Sequence, residues 1–445
     1  MQINQREVIV YALIEILDEK KYNNLVLKQV LAKNNSLLPI QKAFITECVN
    51  GTLRNLIHID YILNFYSRTQ TKNMKPFILA LLRSSVYQIK FMDKVPHSAV
   101  CNEAVNLAKE KGFTNLSGFV NGVLRNIVRG TPKIKYPAKG GKEYLSVNYS
   151  IEPWLLEYWL TEYDFAQVES ICKYSSMPPN VTACVNTLKI DREGLINVFG
   201  QEGAVASSSG ALDNSLKIKK FSDITQKESF IKGYFHIMDE SSMIAVDALG
   251  PKEGSTIIDL CAAPGGKSFY MAYKTNDNAN IYCFDVFEHK IELIKKGAKR
   301  LGLKSIKAEI NNGEVFSKQL EGSADYLLID APCSGFGMLR KKPDIKYTKT
   351  YDDVLALSVL QKRLIKNSYK YLKDGGILIY STCTISKKEN IDNMNWVLSN
   401  LELEPYDISG FIPSQFSQKE KHYVQILPDE NGVDGFFIAA FKRKG

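Results

Sequence analysis

Three segments of different architecture are predicted along this chain: an all-α helical bundle, a small α+β module, and an α/β domain of Rossmann-like design. Three observations carry that prediction. Helical patterning dominates the first 130 residues. Turn signals and lysines crowd the stretch 131–142. From about Asp239 onward, short β-rich runs alternate with helical stretches, the pattern of parallel strands joined by crossover helices. A length of 445 residues suits two or three domains, and an apolar content of 45% suffices for their cores. The expected domains are therefore 1–130, a basic linker over 131–142, the small module over 143–237 and the α/β domain over 238–445.

The first segment reads as helix almost throughout. "REVIVYALIEIL" spaces Val8, Tyr11, Ala12, Ile14 and Ile16 at helical intervals. Pro76 opens "PFILALLRSSVYQIKFM" in its first turn. In "HSAVCNEAVNLAKEKG", Ser98 is the expected N-cap and Gly112 the stop. "LSGFVNGVLRNIVRG" gathers Phe119, Val120, Val123, Leu124 and Ile127 on one side. Arg125 and Arg129, four apart, then share the outer face. "TPKIKYPAKGGK" follows, with the prolines and glycines of a linker, either a hinge or a basic strap on a backbone.

In the middle segment, "EPWLLEYWLTEY" reads as a helix with Trp154, Leu155, Tyr158 and Trp159 on one flank. "NVTACVNTLKI", "SLKIKKFSDI" and "GYFHIMDE" supply short strands, and "DREGLINVFGQEG" a helix. The last segment offers "STIIDLCA", "NIYCFDV", "SIKAEI", "ADYLLID" and "GGILIYST" as parallel strands. "HYVQIL" and "GFFIAAFKRK" stand too close for a crossover helix, so they should be antiparallel. An open sheet closing on such a hairpin is the arrangement of S-adenosylmethionine-dependent methyltransferases.

A cofactor turn fits that arrangement. In "IIDLCAAPGGKSF", Gly265 and Gly266 let backbone approach a ligand, and the helix that follows offers unpaired N–H groups. Asp285 ends the next strand 20 residues after Gly265, an offset that suits ribose hydroxyls. The turn is neither GxGxxG nor GxxxxGK[ST], which disfavours dinucleotides and nucleoside triphosphates and leaves S-adenosylmethionine as the expected cofactor.

Two cysteines sit just past two strand ends, Cys333 in "LLIDAPCSGFG" and Cys383 in "ILIYSTCT". Open α/β sheets bind ligands beyond the carboxyl ends of their strands, so both should face the cofactor crevice. Cytosine carbon 5 accepts a methyl group only after a nucleophile adds to carbon 6. A thiolate can make that addition, and a second thiol can assist its later release. Asp330 is placed to hold the ring-nitrogen edge. Cys261 is expected to pack against the ligand, whereas Cys48, Cys101, Cys172 and Cys283 read as small buried hydrophobes.

Composition excludes several classes. No uninterrupted apolar stretch of about 18 residues appears, which leaves no transmembrane helix and no membrane partner. The opening "MQINQREVIVYALIEIL" carries acids, unlike a secretory signal peptide. Eight cysteines without a CxxC pair argue for reduced thiols in a cytoplasm and against a metal site. A net charge of +9 fits a polyanionic partner.

"DAPCSGFG", "YSTCT" and "DLCAAPGGK" resemble the motifs of the Nop2/Sun family of RNA cytosine-5 methyltransferases. "PHSAVCNEAVNLAKEKG" with "FVNGVLRNI" resembles the NusB-type RNA-binding helical domain. With "PPNVTACVNTLKIDREGL" between them, the combination is similar to the bacterial Sun/Fmu-type small-subunit (16S) ribosomal RNA cytosine-5 methyltransferases, over nearly the whole chain. The resemblance implies a class I methyltransferase domain with Cys383 as nucleophile and Cys333 assisting release. It assigns Cys261, Ala262, Ala263, Pro264, Gly265, Gly266 and Lys267 to the cofactor loop, Asp285 to the ribose, and Asp330 to the junction of cofactor and base. Two positions depart from the family pattern: Asn312-Gly313 replaces Asp-Gly at the adenine contact, and Cys184-Val185-Asn186 replaces Arg-Val-Asn.

Arg340, Lys341, Lys342, Lys346 and Lys349 follow the Cys333 turn and are expected to touch phosphates, with Phe336 and Tyr347 either stacking on bases or packing in a core. The target cytosine must be unpaired or flipped. Ribosomal RNA, naked or within a ribosome assembly intermediate, is the expected partner of a chain taken as a monomer. Transfer RNA is the alternative substrate. A non-catalytic NusB-like RNA-binding or antitermination factor is the alternative class, against which the intact cysteine pair argues.

Overall fold

A computed structural model describes residues 3–208, 212–219, 224–430 and 432–445. Internal contacts divide it into two compact units. One comprises Met1–Pro178 with Leu339–Lys349, the other Pro179–Met338 with Thr350–Gly445.

The first unit is helical. Gln5–Leu17, Asn23–Lys33, Pro39–Arg54, Leu56–Tyr66, Pro76–Phe91, His97–Glu110 and Ser117–Arg129 enclose one core. Its first helix buries Ile9, Val10, Ala12, Leu13 and Ile16 and leaves Tyr11 exposed. That is a different stripe from the expected one, because apolar residues surround this helix and only its neighbours decide which face turns inward. The helix expected to start after Ser98 begins at His97, with Pro96 at its N-cap. Gly112, at φ 82°, ends it as expected, and Gly130 closes Ser117–Arg129 in the left-handed conformation. Arg125 and Arg129 lie on the exposed face. Lys142–Tyr149, Pro153–Glu162 and Phe165–Ser175 belong to this same unit, so the contacts divide the stretch 143–237 at Pro178.

Leu339–Lys349 is built into the helical unit, which corrects several expected RNA contacts. Lys346 is buried, its amine donating to the Arg54 carbonyl at 2.9 Å and the Tyr149 carbonyl at 3.5 Å. Tyr347 gives its hydroxyl to the carbonyls of Leu53 at 2.9 Å and Ser150 at 3.1 Å. The Asp344 carboxylate accepts from the Asn23 amide at 3.2 Å. Arg340 is also buried, as is Phe336 in the other unit, so neither meets RNA as a free side chain; Lys342 alone of the five basic residues is fully exposed.

In the second unit, β1 (Val181–Val185), β2 (Val205–Ser208), β3 (Ser215–Lys219) and β4 (Phe235–Ile237) form an antiparallel sheet in the order β2-β3-β1-β4. The polar run of β2 had no strand signal of its own. Asp191 caps the helix Arg192–Gln201 by accepting from the Gly194 amide. Asn186 ties this sheet to the next layer, donating to the carbonyls of Gly233 at 2.9 Å and Leu301 at 3.1 Å. Cys184, where the family pattern has arginine, is fully buried in an apolar core.

The larger sheet contains β5 (Thr256–Asp259), β6 (Asn280–Asp285), β7 (Ile306–Ile310), β8 (Ala324–Asp330), β9 (Leu372–Thr382), β10 (Leu403–Pro405), β11 (Tyr423–Ile426) and β12 (Phe436–Arg443). Its order is β10-β12-β9-β8-β5-β6-β7, with β11 also pairing β12. β5 to β9 are mutually parallel, and β12 is antiparallel to β9, β10 and β11. Successive side chains serve opposite faces: Leu327 and Ile329 enter one core, Leu328 the other. This is the Rossmann-like design expected. Among the described residues no helix is long and apolar enough to cross a membrane.

Burial lowers the Lys346 amine from 10.5 to about 7, with Arg54 adding to the effect against Cys172 and Glu152. Between those two values the unfolded chain binds more protons, so stability gains with rising pH. Relative to Lys346→Met, the parent should therefore gain stability from pH 7 toward 10, by at most about 1.4 kcal/mol per pH unit, and run parallel to the variant below pH 6. Urea unfolding across that range checks this.

A candidate active site at the carboxyl ends of the parallel strands

Within the second unit, β5 delivers Asp259 to the sheet edge, and the chain then turns into the helix Gly266–Lys274. Gly265 occupies the N-cap at φ 108°, a conformation that favours glycine, and an added Cβ would lie 2.5 Å from the Phe269 ring. The turn thus brings bare backbone, and the free N–H groups of a helix start, to a cavity of about 250 Å³. Cys261 to Pro264, Gly266, Lys267 and Asp330 line that cavity, together with Asp239 and Asp259. His236 steadies the turn: one ring nitrogen lies 3.1 Å from the Gly266 carbonyl and the other 3.1 Å from the Tyr273 hydroxyl. Burial lowers its pKa to about 3 and keeps it neutral.

Asp259 is buried, and burial raises its carboxyl to about 7 against the hydrogen bond from Ser268. Its Oδ2 accepts from Ser268 Oγ at 2.6 Å, while Oδ1 has no protein partner. A buried acceptor without a partner beside a cavity suits a ligand that carries a cation. S-adenosylmethionine, with its ammonium and sulfonium, fits the residues present.

Asp285, at the end of β6, is 7% exposed and lies outside that cavity lining. Its carboxylate accepts from the Phe287 amide at 3.3 Å and from Lys290 Nζ at 3.2 Å. β7 pairs with β6 and carries the chain to Asn312, which is exposed; its Oδ1 accepts from the Glu314 amide at 3.1 Å. The acceptor retained in place of the family's aspartate is thus used within its own turn.

The two cysteines meet. β8 and β9 run parallel with Asp330 opposite Ser381, and both cysteines follow those positions within three residues. Their sulfurs lie 2.9 Å apart. The hydrogen bond with Cys383, then burial, raise the Cys333 thiol well above its ordinary value, so the proton of the pair stays on Cys333. Lys267 Nζ donates to Asp330 Oδ2 at 2.5 Å, and Ser381 Oγ donates to Oδ1 at 2.9 Å. Burial works against the lysine's charge, but Asp330, Asp259 and Cys383 outweigh it and raise its pKa. Lys267 therefore stays an ammonium, paired with the Asp330 carboxylate.

Sequence reasoning missed four contributors. His236, Asp259 and Ser381 sit inside or beside strands, where a polar residue reads as alternation. Glu389 lies in the polar run "TISKKENID", which reads as a solvated helix start, yet it is fully buried behind the cysteine turns. Among the described residues no group of three His, Cys, Asp or Glu side chains could hold a metal ion.

Comparison with known proteins places the chain among methyltransferases. The family model described as 16S rRNA methyltransferase RsmB/F matches residues 246–442. The NusB family matches 3–129, and the ferredoxin-like domain of RsmF/B-like methyltransferases matches 152–225. A protein of Bacillus subtilis, "Probable ribosomal RNA small subunit methyltransferase B", is 37% identical, covering 99% of both chains. A protein of the same description from Synechocystis is 30% identical over 99% of this chain and 100% of its own. The crystal structure of PH0851 shares the fold at a TM-score of 0.81, with 24% identity and 100% of each chain covered.

The cysteine turns touch through backbone. Gly337 donates to the Cys383 carbonyl at 3.0 Å and accepts from the Gly435 amide at 3.0 Å. A Cβ on Gly337 would lie 1.9 Å from the Gly435 oxygen. Gly337→Ala should therefore cost about 3 kcal/mol or more in urea unfolding. Methyl transfer by the fraction that still folds should fall further than stability alone accounts for. A variant with parental stability and activity would show that the turns need not approach so closely.

Proposed function

The chain belongs to the 16S rRNA methyltransferase RsmB/F family, and on that premise we propose that it methylates carbon 5 of an unpaired cytidine in small-subunit ribosomal RNA through a covalent Cys383–cytosine intermediate. It is a methyltransferase, and the observation that carries the covalent reading is the 2.9 Å approach of two sulfurs beside the cofactor turn. S-adenosylmethionine, when bound, supplies an electrophilic methyl group on a sulfonium. The turn Cys261–Lys267 would hold it through backbone, Asp285 through the ribose hydroxyls, and Asn312 through its amide near the adenine.

The chemistry of this chain's residues then follows. Cys383, as thiolate, adds to carbon 6 of the ring; the S–C6 bond forms and the C5–C6 electron pair moves to carbon 5. The Lys267 ammonium, paired with Asp330, faces the negative charge that develops on the ring, and Asp330 is offered to the ring-nitrogen edge. Carbon 5 uses the electron pair it has gained to take the methyl group, whose bond to the sulfonium sulfur breaks and leaves a neutral thioether. With Cys383 now bonded to carbon, its hydrogen bond and charge no longer hold the proton on Cys333, which can yield it to solvent. As a thiolate it removes the carbon 5 proton; the S–C6 bond breaks, its electrons return to Cys383, and the double bond is restored. The pair ends as it began, one proton held on Cys333.

RNA is the partner this reading requires. Exposed Arg125, Arg129 and Lys342 are the side chains offered to its phosphates. Whether the RNA arrives naked or in an assembly intermediate does not alter the chemistry.

The cofactor assignment predicts that Asp285→Ala weakens S-adenosylmethionine binding by about 1–3 kcal/mol. Unchanged affinity by calorimetry in a folded variant would remove Asp285 from the site. The covalent reading is tested on the cysteines, with methylation read by bisulfite sequencing of the RNA and adducts by denaturing gels. Cys383→Ala should abolish both methylation and attachment. Cys333→Ala should still add and methylate but stall before release, accumulating a protein–RNA adduct that needs Cys383. An adduct in Cys383→Ala would reverse the two roles. Full activity without either cysteine would sink the covalent mechanism.

A further inference from the structure

Behind the two cysteine turns lies a cluster of buried polar side chains that the reaction above leaves unused. Glu389, Gln361, Asn390 and Asn393 are all fully buried. A buried carboxylate is costly unless its oxygens are satisfied, so its partners are informative. Glu389 Oε1 accepts from the Ser334 amide at 2.9 Å and from Gln361 Nε2 at 3.0 Å. Oε2 accepts from Ser334 Oγ at 2.5 Å, and that hydroxyl lies 2.7 Å from Thr384 Oγ1. Ser334 follows Cys333 and Thr384 follows Cys383, so one carboxylate links the residues next to both sulfurs.

The remaining contacts fix the carboxylate itself. Gln361 Nε2 donates to the Pro332 carbonyl at 2.8 Å, while its Oε1 accepts from Asn393 at 2.7 Å and from the Tyr380 hydroxyl at 3.0 Å. The same hydroxyl is 2.6 Å from the Glu389 carbonyl oxygen. One strand, two turns and two helices thus converge on a group that touches neither sulfur.

We propose that Glu389 is a positioning residue for the cysteine pair: it clamps the two turns so that the sulfurs meet, and its negative charge keeps the resting proton on Cys333, leaving Cys383 as the nucleophile. The proposal rests on the roles given above to the two cysteines. The groups facing Cys333 are Cys383, Glu389 and Asp330, the last paired with Lys267. Before substrate arrives Cys383 and Glu389 both favour the proton on Cys333; the fixed carboxylate beside one turn is what distinguishes two otherwise similar thiols.

The test labels the full-length protein with iodoacetamide, without RNA, across about pH 6 to 10, and measures each cysteine by peptide mass spectrometry. The parent should label at Cys383 well before Cys333. Glu389→Gln, isosteric but uncharged, should raise labelling of Cys333 relative to Cys383 by roughly tenfold near neutrality, which a one-unit fall in its pKa would produce. Glu389→Asp, keeping the charge, should restore much of the parental preference. An unchanged ratio and pH profile in folded Glu389→Gln would overturn the electrostatic role. Thr384→Val, which severs the link from Ser334 and keeps the charge, tests the clamp: kcat should fall roughly tenfold with the KM for S-adenosylmethionine unchanged. Parental kcat in that variant would overturn it. Labelling requires no RNA, so a failure of the covalent mechanism, seen as missing adducts, leaves this readout intact and distinguishable.

Discussion

The parallel pairing of β8 with β9 is the constraint on which the site depends. With Asp330 opposite Ser381 and the Ala331 amide bonded to the Ser381 carbonyl at 2.9 Å, the two strands end level with one another. Two turns separated by 50 residues then leave the sheet side by side. A shift of one residue would turn Ser381 to the opposite face and part the sulfurs. Parallel strands cannot be joined by a short hairpin, so the helix Tyr351–Ser368 that connects them lies against the sheet, and its Gln361 reaches the Pro332 carbonyl.

Charge in the site is arranged around that pairing. Asp330 is held from both oxygens, by Lys267 and Ser381. Lys267 sits in the first turn of the helix that the glycine turn leads into, so the turn proposed to cradle the methyl donor and the ion pair beside the cysteines share one residue. A largely buried lysine keeps its charge only beside an anion; here the anions are Asp330 and Asp259, with the Cys383 sulfur adding to them. The same low-dielectric setting distinguishes two thiols that are otherwise chemically alike, holding the proton of the pair on Cys333.

The helical unit follows a different economy. Lys346 and Tyr347 spend their polar atoms on carbonyls at Arg54, Leu53, Tyr149 and Ser150, closing helix ends whose acceptors would otherwise be unsatisfied. The segment Leu339–Lys349, drawn from the middle of the methyltransferase sequence, therefore serves as packing for a unit built from the other end of the chain. Its basic composition reflects that duty more than contact with phosphate.

Local signals in the sequence determined much of this protein. The glycine turn, the acid at a strand end, the cysteines just past two strands and the closing antiparallel pair are all features of short segments, because φ/ψ preference and strand period act over a few residues. They were enough for the fold class and for naming the residues proposed to meet cofactor and substrate. Only the tertiary structure decided which face of Gln5–Leu17 turns inward, and that Lys346 and Arg340 lie in an interior. It alone decided that polar β2 is a strand and that Glu389 stands behind the cysteines. Each of those outcomes depends on what distant chain segments place beside the residue. A lysine in solvent and a lysine capping two buried carbonyls have the same local sequence, and burial, which decides between them, is a property of the packed whole.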